Sequence, residues 1–124
     1  MSLVHAVVWL DHHNAQVLHF DAEQVRAHKM KEHEHDTHQH GSGVRTEHEF
    51  FGVVCDALAE SREVLVTGGH TAQSDFRRYV DKHRPAVSDL IVGWETVDHP
   101  SDAQLVARAR QFFAQRDGRA IPAA

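Results

Sequence analysis

Apolar and polar positions change rhythm twice along this chain, and the changes divide it into elements. Residues 4–10, Val-His-Ala-Val-Val-Trp-Leu, are almost continuously apolar and β-rich, the pattern of an interior strand. Asp11-His12-His13-Asn14 reads as a turn, and Ala15 to Asp21 returns as a second strand carrying Val17, Leu18 and Phe20. A tight turn at Asp21-Ala22-Glu23 leads to a weakly alternating third strand, Val25 to Met30. The chain therefore opens with an antiparallel meander. From Lys31 to Arg45 the apolar pattern stops, and Glu32 to Gly43 contains no apolar side chain, so 31–45 is expected to be an exposed loop. It is longer than ordinary connections, and long loops are often functional.

The second half follows a helical period. Thr46 with Glu49 three residues on has the form of a capping box for a helix reaching about Glu60, with Phe50, Val53, Val54, Ala57 and Leu58 on one face. Glu63 to Thr67 is a short buried strand ended by Gly68-Gly69. Thr71 is placed to cap a second helix bearing Phe76, Tyr79 and Val80, which must stop before Pro85. Asp89 to Val97 contains a strand, Leu-Ile-Val-Gly-Trp-Glu-Thr. Ser101 with Gln104 caps a third helix with Leu105, Val106, Ala109, Phe112 and Phe113 inward, and the tail from Asp117 to Ala124 is expected to fray.

The order is β-β-β-α-β-α-β-α. A meander followed by two right-handed α-β crossovers predicts an α/β fold, a five-stranded mixed sheet of order 3-2-1-4-5 with three helices, the ribonuclease H-like arrangement. The expectation is a single domain over 1–124, with a core spanning about 4–115.

Composition adds two constraints. One cysteine in 124 residues rules out an internal disulfide and a thiolate zinc site. No apolar run approaches the roughly 20 residues of a membrane helix, and Met1 to Leu10 lacks a basic n-region, so a cytoplasmic protein is expected. Charge is less ordinary: the net value is −5 with histidine neutral, and charging all 13 histidines would bring it to +8. At the ordinary histidine pKa of about 6.5, only about a quarter are protonated at pH 7. Such a chain is poorly suited to strong autonomous binding of nucleic acid, although it can dock where other proteins hold the nucleic acid.

Candidate chemistry falls in two places. Ligands of open α/β sheets favour the C-terminal ends of parallel strands, and three such ends carry ionisable groups: Asp11 with His12 and His13, His70 after Gly69, and Asp98 with His99. A carboxylate and imidazoles there can bind a metal or form an acid/base pair, while turn and cap roles explain the same residues structurally. Two carboxylates are too few for a two-metal nuclease. The second place is the loop, where His33, His35, His38 and His40 lie within eight residues beside Glu32, Glu34 and Asp36. Imidazole and carboxylate suit Zn²⁺, Ni²⁺ or Cu²⁺, and a solvated polar loop is the structural alternative. Gly68-Gly69-His70-Thr71 lacks the Lys of a P-loop and the third Gly of a dinucleotide fingerprint, so packing and turn geometry account for it, with an anion held by the helix N-terminus as the alternative, and Cys55 reads as a buried thiol.

Several segments taken in order resemble a known family. Val7 to Val17 resembles the strand-turn-strand opening of the central domain of archaeal and eukaryotic class-one peptide-chain release factors and of Pelota. Thr46 to Phe51, Val64 to Phe76 and Val92 to Pro100 continue the likeness. Small bacterial proteins of the "translational machinery protein" type are also similar, through Glu95-Thr96-Val97-Asp98-His99-Pro100 and the helix after it. The resemblance implies a ribonuclease H-like fold and a translational role with the ribosome or a translation factor as partner. It also marks a departure. Release factors carry Gly-Gly-Gln between strand 3 and the following helix, whereas this loop reads His38-Gln39-His40-Gly41-Ser42-Gly43-Val44-Arg45.

Three functions follow as expectations: a release-factor-like accessory protein without the standard hydrolytic motif; a metal- or pH-responsive module using His33, His35, His38 and His40 with Zn or Ni; and a hydrolase using Asp11, His70, Asp98 and His99.

Overall fold

The apolar run near the start of the chain becomes the centre of the sheet, since a strand paired on both edges and covered on both faces needs no polar side. In the computed structural model, which describes residues 5–21, 23–31 and 43–117, β1 (His5–Leu10) pairs antiparallel with β2 (Asn14–Phe20) and parallel with β4 (Glu63–Gly68). β3 (Val25–Lys31) lies antiparallel outside β2, and β5 (Ile91–Thr96) lies parallel outside β4. The resulting order, β3-β2-β1-β4-β5, is the mixed sheet expected from the pattern.

Helices α1 (Gly43–Leu58) and α2 (His70–His83) cover one face of the sheet, and α4 (Asp102–Asp117) covers the other. Alternation along β1 makes the split: Ala6, Val8 and Leu10 pack with Val54, Leu58, Phe76 and Val80, whereas Val7 and Trp9 pack with Leu105, Val106, Ala109 and Phe113. Ser101 and Gln104 form the expected capping box ahead of α4, Gln104 N–H donating to Ser101 Oγ at 3.2 Å and Ser101 N–H to Gln104 Oε1 at 2.9 Å. Cys55 is fully buried, and burial pushes its thiol up to about 12.

Several boundaries differ from the sequence pattern. α1 begins at Gly43, not at the Thr46–Glu49 capping box, because extending an anchored helix adds a backbone hydrogen bond per residue fixed. Lys31 pairs with Asn14 and extends β3, so the segment between strand and helix shrinks to 32–42. Val53 is 52% exposed; the inward stripe is Phe50, Phe51, Val54, Cys55 and Leu58, rotated by one position. α2 starts at His70 with Gly69 as its N-cap, which leaves Thr71 inside the first turn. A one-turn helix, α3 (Pro85–Ser88), follows α2, with Pro85 at its first position where no amide hydrogen is needed.

Two glycines are required by close approach. Gly68 has φ +137°, and a Cβ there would lie 2.2 Å from the Leu10 carbonyl oxygen. At Gly93 a Cβ would meet the Phe112 ring at 2.4 Å, so this glycine admits the ring of α4 against β5.

His5 and His19 lie on the paired strands β1 and β2. The register sets His5 opposite Phe20 and Ala6 opposite His19, so the two imidazoles point to opposite layers. His5 packs on Phe113 at 4.3 Å between ring centroids and meets Glu63 Oε1 at 3.1 Å, while Arg116 donates to the other Glu63 oxygen. His19 is 2% exposed and donates from Nε2 to the Ala57 carbonyl at 2.9 Å. Burial holds its pKa below the ordinary value, and Nδ1 has no partner among the described residues.

Candidate functional site

The parallel strands β1, β4 and β5 all end at the same rim of the sheet, where the chain carries Asp11, His70, Asp98 and His99. Asp11 is committed to the turn: its Oδ1 accepts from His13 N–H at 2.8 Å and from Asn14 N–H at 2.7 Å. His70 is the first residue of α2 and is exposed. Asp98 is exposed, and its carbonyl oxygen accepts from Trp9 Nε1–H at 3.1 Å. His99 stacks on the Trp9 indole, with centroids 3.9 Å apart and planes 9° from parallel.

Polar groups that the sequence did not single out hold this rim together. Gln16 stands opposite Trp9 in the β1–β2 register, and its Oε1 meets His99 Nε2 at 2.8 Å. Its amide nitrogen donates to Asp102 Oδ1 in the first turn of α4. The direction of this chain sets the imidazole proton. An ionised carboxylate only accepts, so Gln16 donates to Asp102 and presents its carbonyl oxygen to His99. His99 must then carry its proton on Nε2, which leaves Nδ1 as the ring's proton acceptor when neutral. His99, Asp98, Gln104 and Arg108 line an open groove of about 440 Å³, and Arg108 Nε donates to Glu95 Oε1 at 2.6 Å.

Further ties fix the rim to α2. His12 Nε2 meets Asp75 Oδ2 at 3.0 Å across the β1–β2 turn. The buried Gln73 side chain donates to the carbonyls of Gly68 at 2.9 Å and Glu95 at 2.7 Å, joining β4, β5 and α2. A sequence signal for part of this existed: a buried indole N–H needs an acceptor, and hairpin register sets Gln16 beside Trp9. The contact of His12 with Asp75 and that of Gln73 with Glu95 had no such signal, since those partners lie 63 and 22 residues away.

What the rim can do chemically is hold one imidazole in a set orientation beside an exposed carboxylate and an arginine. Among the described residues, no group of three His, Cys, Asp or Glu could hold a metal ion. His33, His35, His38, Gln39, His40, Gly41 and Ser42 lie outside the described residues, and Gly43 is the first residue of α1. Among the described residues no helix is long and apolar enough to cross a membrane.

No family profile and no curated protein matches the sequence. Solved structures do match. The chain is similar to Pelota of Archaeoglobus fulgidus with a TM-score of 0.63 and 14% identity, over 86% of this chain and 30% of that one. It is similar to Pelota of Thermoplasma acidophilum with a TM-score of 0.62 and 17% identity, over 89% of this chain and 32% of that one. An archaeal translation termination factor matches with a TM-score of 0.56 and 14% identity, over 91% of this chain and 39% of that one. The chain thus spans about a third of the length of these proteins. At such identities the likeness is one of fold: the chain has an α/β fold related to part of Pelota and of the archaeal termination factor.

Proposed function

We propose that this protein is a release-factor-like accessory protein of translation, cytoplasmic and associated with the ribosome. The observation that carries the reading is its fold, a match over most of this chain to proteins described as Pelota and as a translation termination factor. The segment 32–42 joins β3 to α1, where the resemblance sets the Gly-Gly-Gln of release factors. No Gly-Gly-Gln triplet occurs in these 124 residues, so the protein acts without that hydrolytic device, through Gln39, Gly41, Ser42 and Gly43 and their neighbours. Co-sedimentation at physiological salt tests the reading. The protein is expected with ribosomal particles, and alanine at Gln39, Gly41, Ser42 and Gly43 is expected to reduce the bound fraction. Absence from every ribosomal fraction refutes it.

A second role of the same segment is favoured by its composition: four imidazoles and three carboxylates among residues 32–40. His33, His35, His38 and His40 bind Zn²⁺ or Ni²⁺ in this reading. Titration calorimetry with each metal is expected to show binding that vanishes when all four become Ala, and an unchanged signal removes the segment from any metal site. The hydrolase reading uses Asp11, His70, Asp98 and His99 around the rim. It is weakened by the use of Asp11 in the turn.

A further inference from the structure

A second hollow, of about 230 Å³, opens between α1 and α2. Three rings in mutual contact form its centre: His48 to Tyr79 at 5.1 Å, Tyr79 to His83 at 5.0 Å and His48 to His83 at 5.3 Å between centroids. Buried Phe51 supports Tyr79 from below at 5.6 Å, while His48 and His83 remain exposed. Arg78 and Lys82, one helical turn apart on α2, line the same hollow and are exposed. The carboxylate that lines it, Asp75, already meets His12 at 3.0 Å and Arg78 at 3.7 Å.

The size and the chemistry limit the ligand. The hollow is smaller than the roughly 300 Å³ at which small-molecule pockets begin, so it suits one unit of an extended chain. Cations beside solvent-facing rings match single-stranded nucleic acid, whose phosphates need positive charge and whose bases need a flat partner. An acidic peptide would use the cations and the imidazole N–H donors but would leave the exposed ring faces without a flat partner.

We propose that Arg78, Lys82, His48 and His83 form a contact site for single-stranded RNA, with phosphodiester groups on the two cations and a base stacked on an exposed imidazole. The choice of RNA rests on the translational reading above. Two phosphate contacts on a chain of net charge −5 make a weak, local foothold that supplements other docking contacts.

The test is fluorescence anisotropy with a labelled single-stranded RNA of about ten nucleotides at pH 8, from about 20 to 200 mM KCl. Two phosphate contacts to a single strand predict a slope of log K against log salt near −1.4, at about −0.7 per contact. Arg78→Gln with Lys82→Gln is expected to flatten that slope. His48→Leu with His83→Leu is expected to weaken binding about fivefold or more while leaving the slope unchanged. Circular dichroism and Tm of each variant establish that the fold is retained. Any one of four results overturns the site: no wild-type binding at the lowest salt, an unchanged slope in the charge variant, equal competition by an RNA duplex or an acidic peptide, or displacement by inorganic phosphate at matched ionic strength. Ribosome co-sedimentation of the wild type together with any of those four results overturns this site alone. RNA binding without co-sedimentation overturns the translational reading and leaves the site standing.

Discussion

Replacing Gly68 with alanine tests the construction of the rim at its tightest point. Gly68 ends β4, paired with Leu10 across the parallel ladder. Its φ of +137° costs an L-residue about 1–3 kcal/mol. The added Cβ would also lie 2.2 Å from the Leu10 oxygen and 3.1 Å from the Leu10 nitrogen, backbone atoms of the central strand that cannot rotate away. Spreading the two strands adds the roughly 1–3 kcal/mol typical of overpacking. The sum, about 2–6 kcal/mol, corresponds to a fall in Tm of roughly 8–24 °C at about 4 °C per kcal/mol for a chain of this length. Gly69→Ala is the internal control: with φ −75° and nothing within 4 Å, this N-cap position should change by no more than about 1 kcal/mol. Thermal and urea unfolding followed by circular dichroism compare the two variants. The consequence extends to the rim, because the Gly68 carbonyl accepts from Gln73 Nε2 and from the Val97 amide just before Asp98 and His99. If Gly68→Ala melts within about 4 °C of Gly69→Ala, the close-approach argument is wrong.

Three further outcomes are expected. His19 is held below its ordinary pKa of 6.5 by burial, so the unfolded chain binds the extra proton first as pH falls. Stability is therefore lost between pH 6.5 and the lowered folded value, by at most about 1.4 kcal/mol per pH unit; urea titrations of wild type and His19→Gln should diverge there, and parallel curves refute it. Cys55, buried and with its thiol pushed up to about 12, should react with iodoacetamide at pH 8 at least about 100-fold more slowly in the native protein than in urea, and comparable rates refute its placement. Neutral His99 should carry its proton on Nε2 by ¹⁵N NMR and become a tautomer mixture in Gln16→Leu; a predominant Nδ1–H form in the wild type would reverse the hydrogen-bond chain from Asp102.

Much of the fold was legible because its signals are local. Continuous apolarity marked β1 as interior, period-3.6 spacing marked α1, α2 and α4, and Ser101 with Gln104 formed the cap that their spacing implied. Where local signals misled, a longer-range preference won. Thr46 and Glu49 stand at capping-box spacing, yet α1 extends back to Gly43, and Val53 lies at a helical spacing from Phe50 but turns outward because the stripe is centred on Phe51 and Cys55. α3 leaves no mark in the sequence pattern because four residues show no period. The rim was legible as a place, through the strand ends, but the partners of its side chains were not. Asp11 could equally have faced a ligand or its own turn, and the turn amides of His13 and Asn14 hold its Oδ1.

The thirteen histidines show where the division lies. Sequence alone determined that four of them crowd the span from 33 to 40, and that others sit where parallel strands end. It also determined the strand order, since a meander followed by right-handed crossovers leaves few alternatives. Tertiary structure decided what six of the imidazoles in the described residues meet: Glu63 for His5, the Ala57 carbonyl for His19, Asp75 for His12, Trp9 and Gln16 for His99, and Tyr79 for both His48 and His83. The physical reason is register. Side chains alternate faces with a period of two along a strand, so one residue of pairing offset moves an imidazole from one layer to the other. Which offset is adopted depends on how both helical layers pack at once.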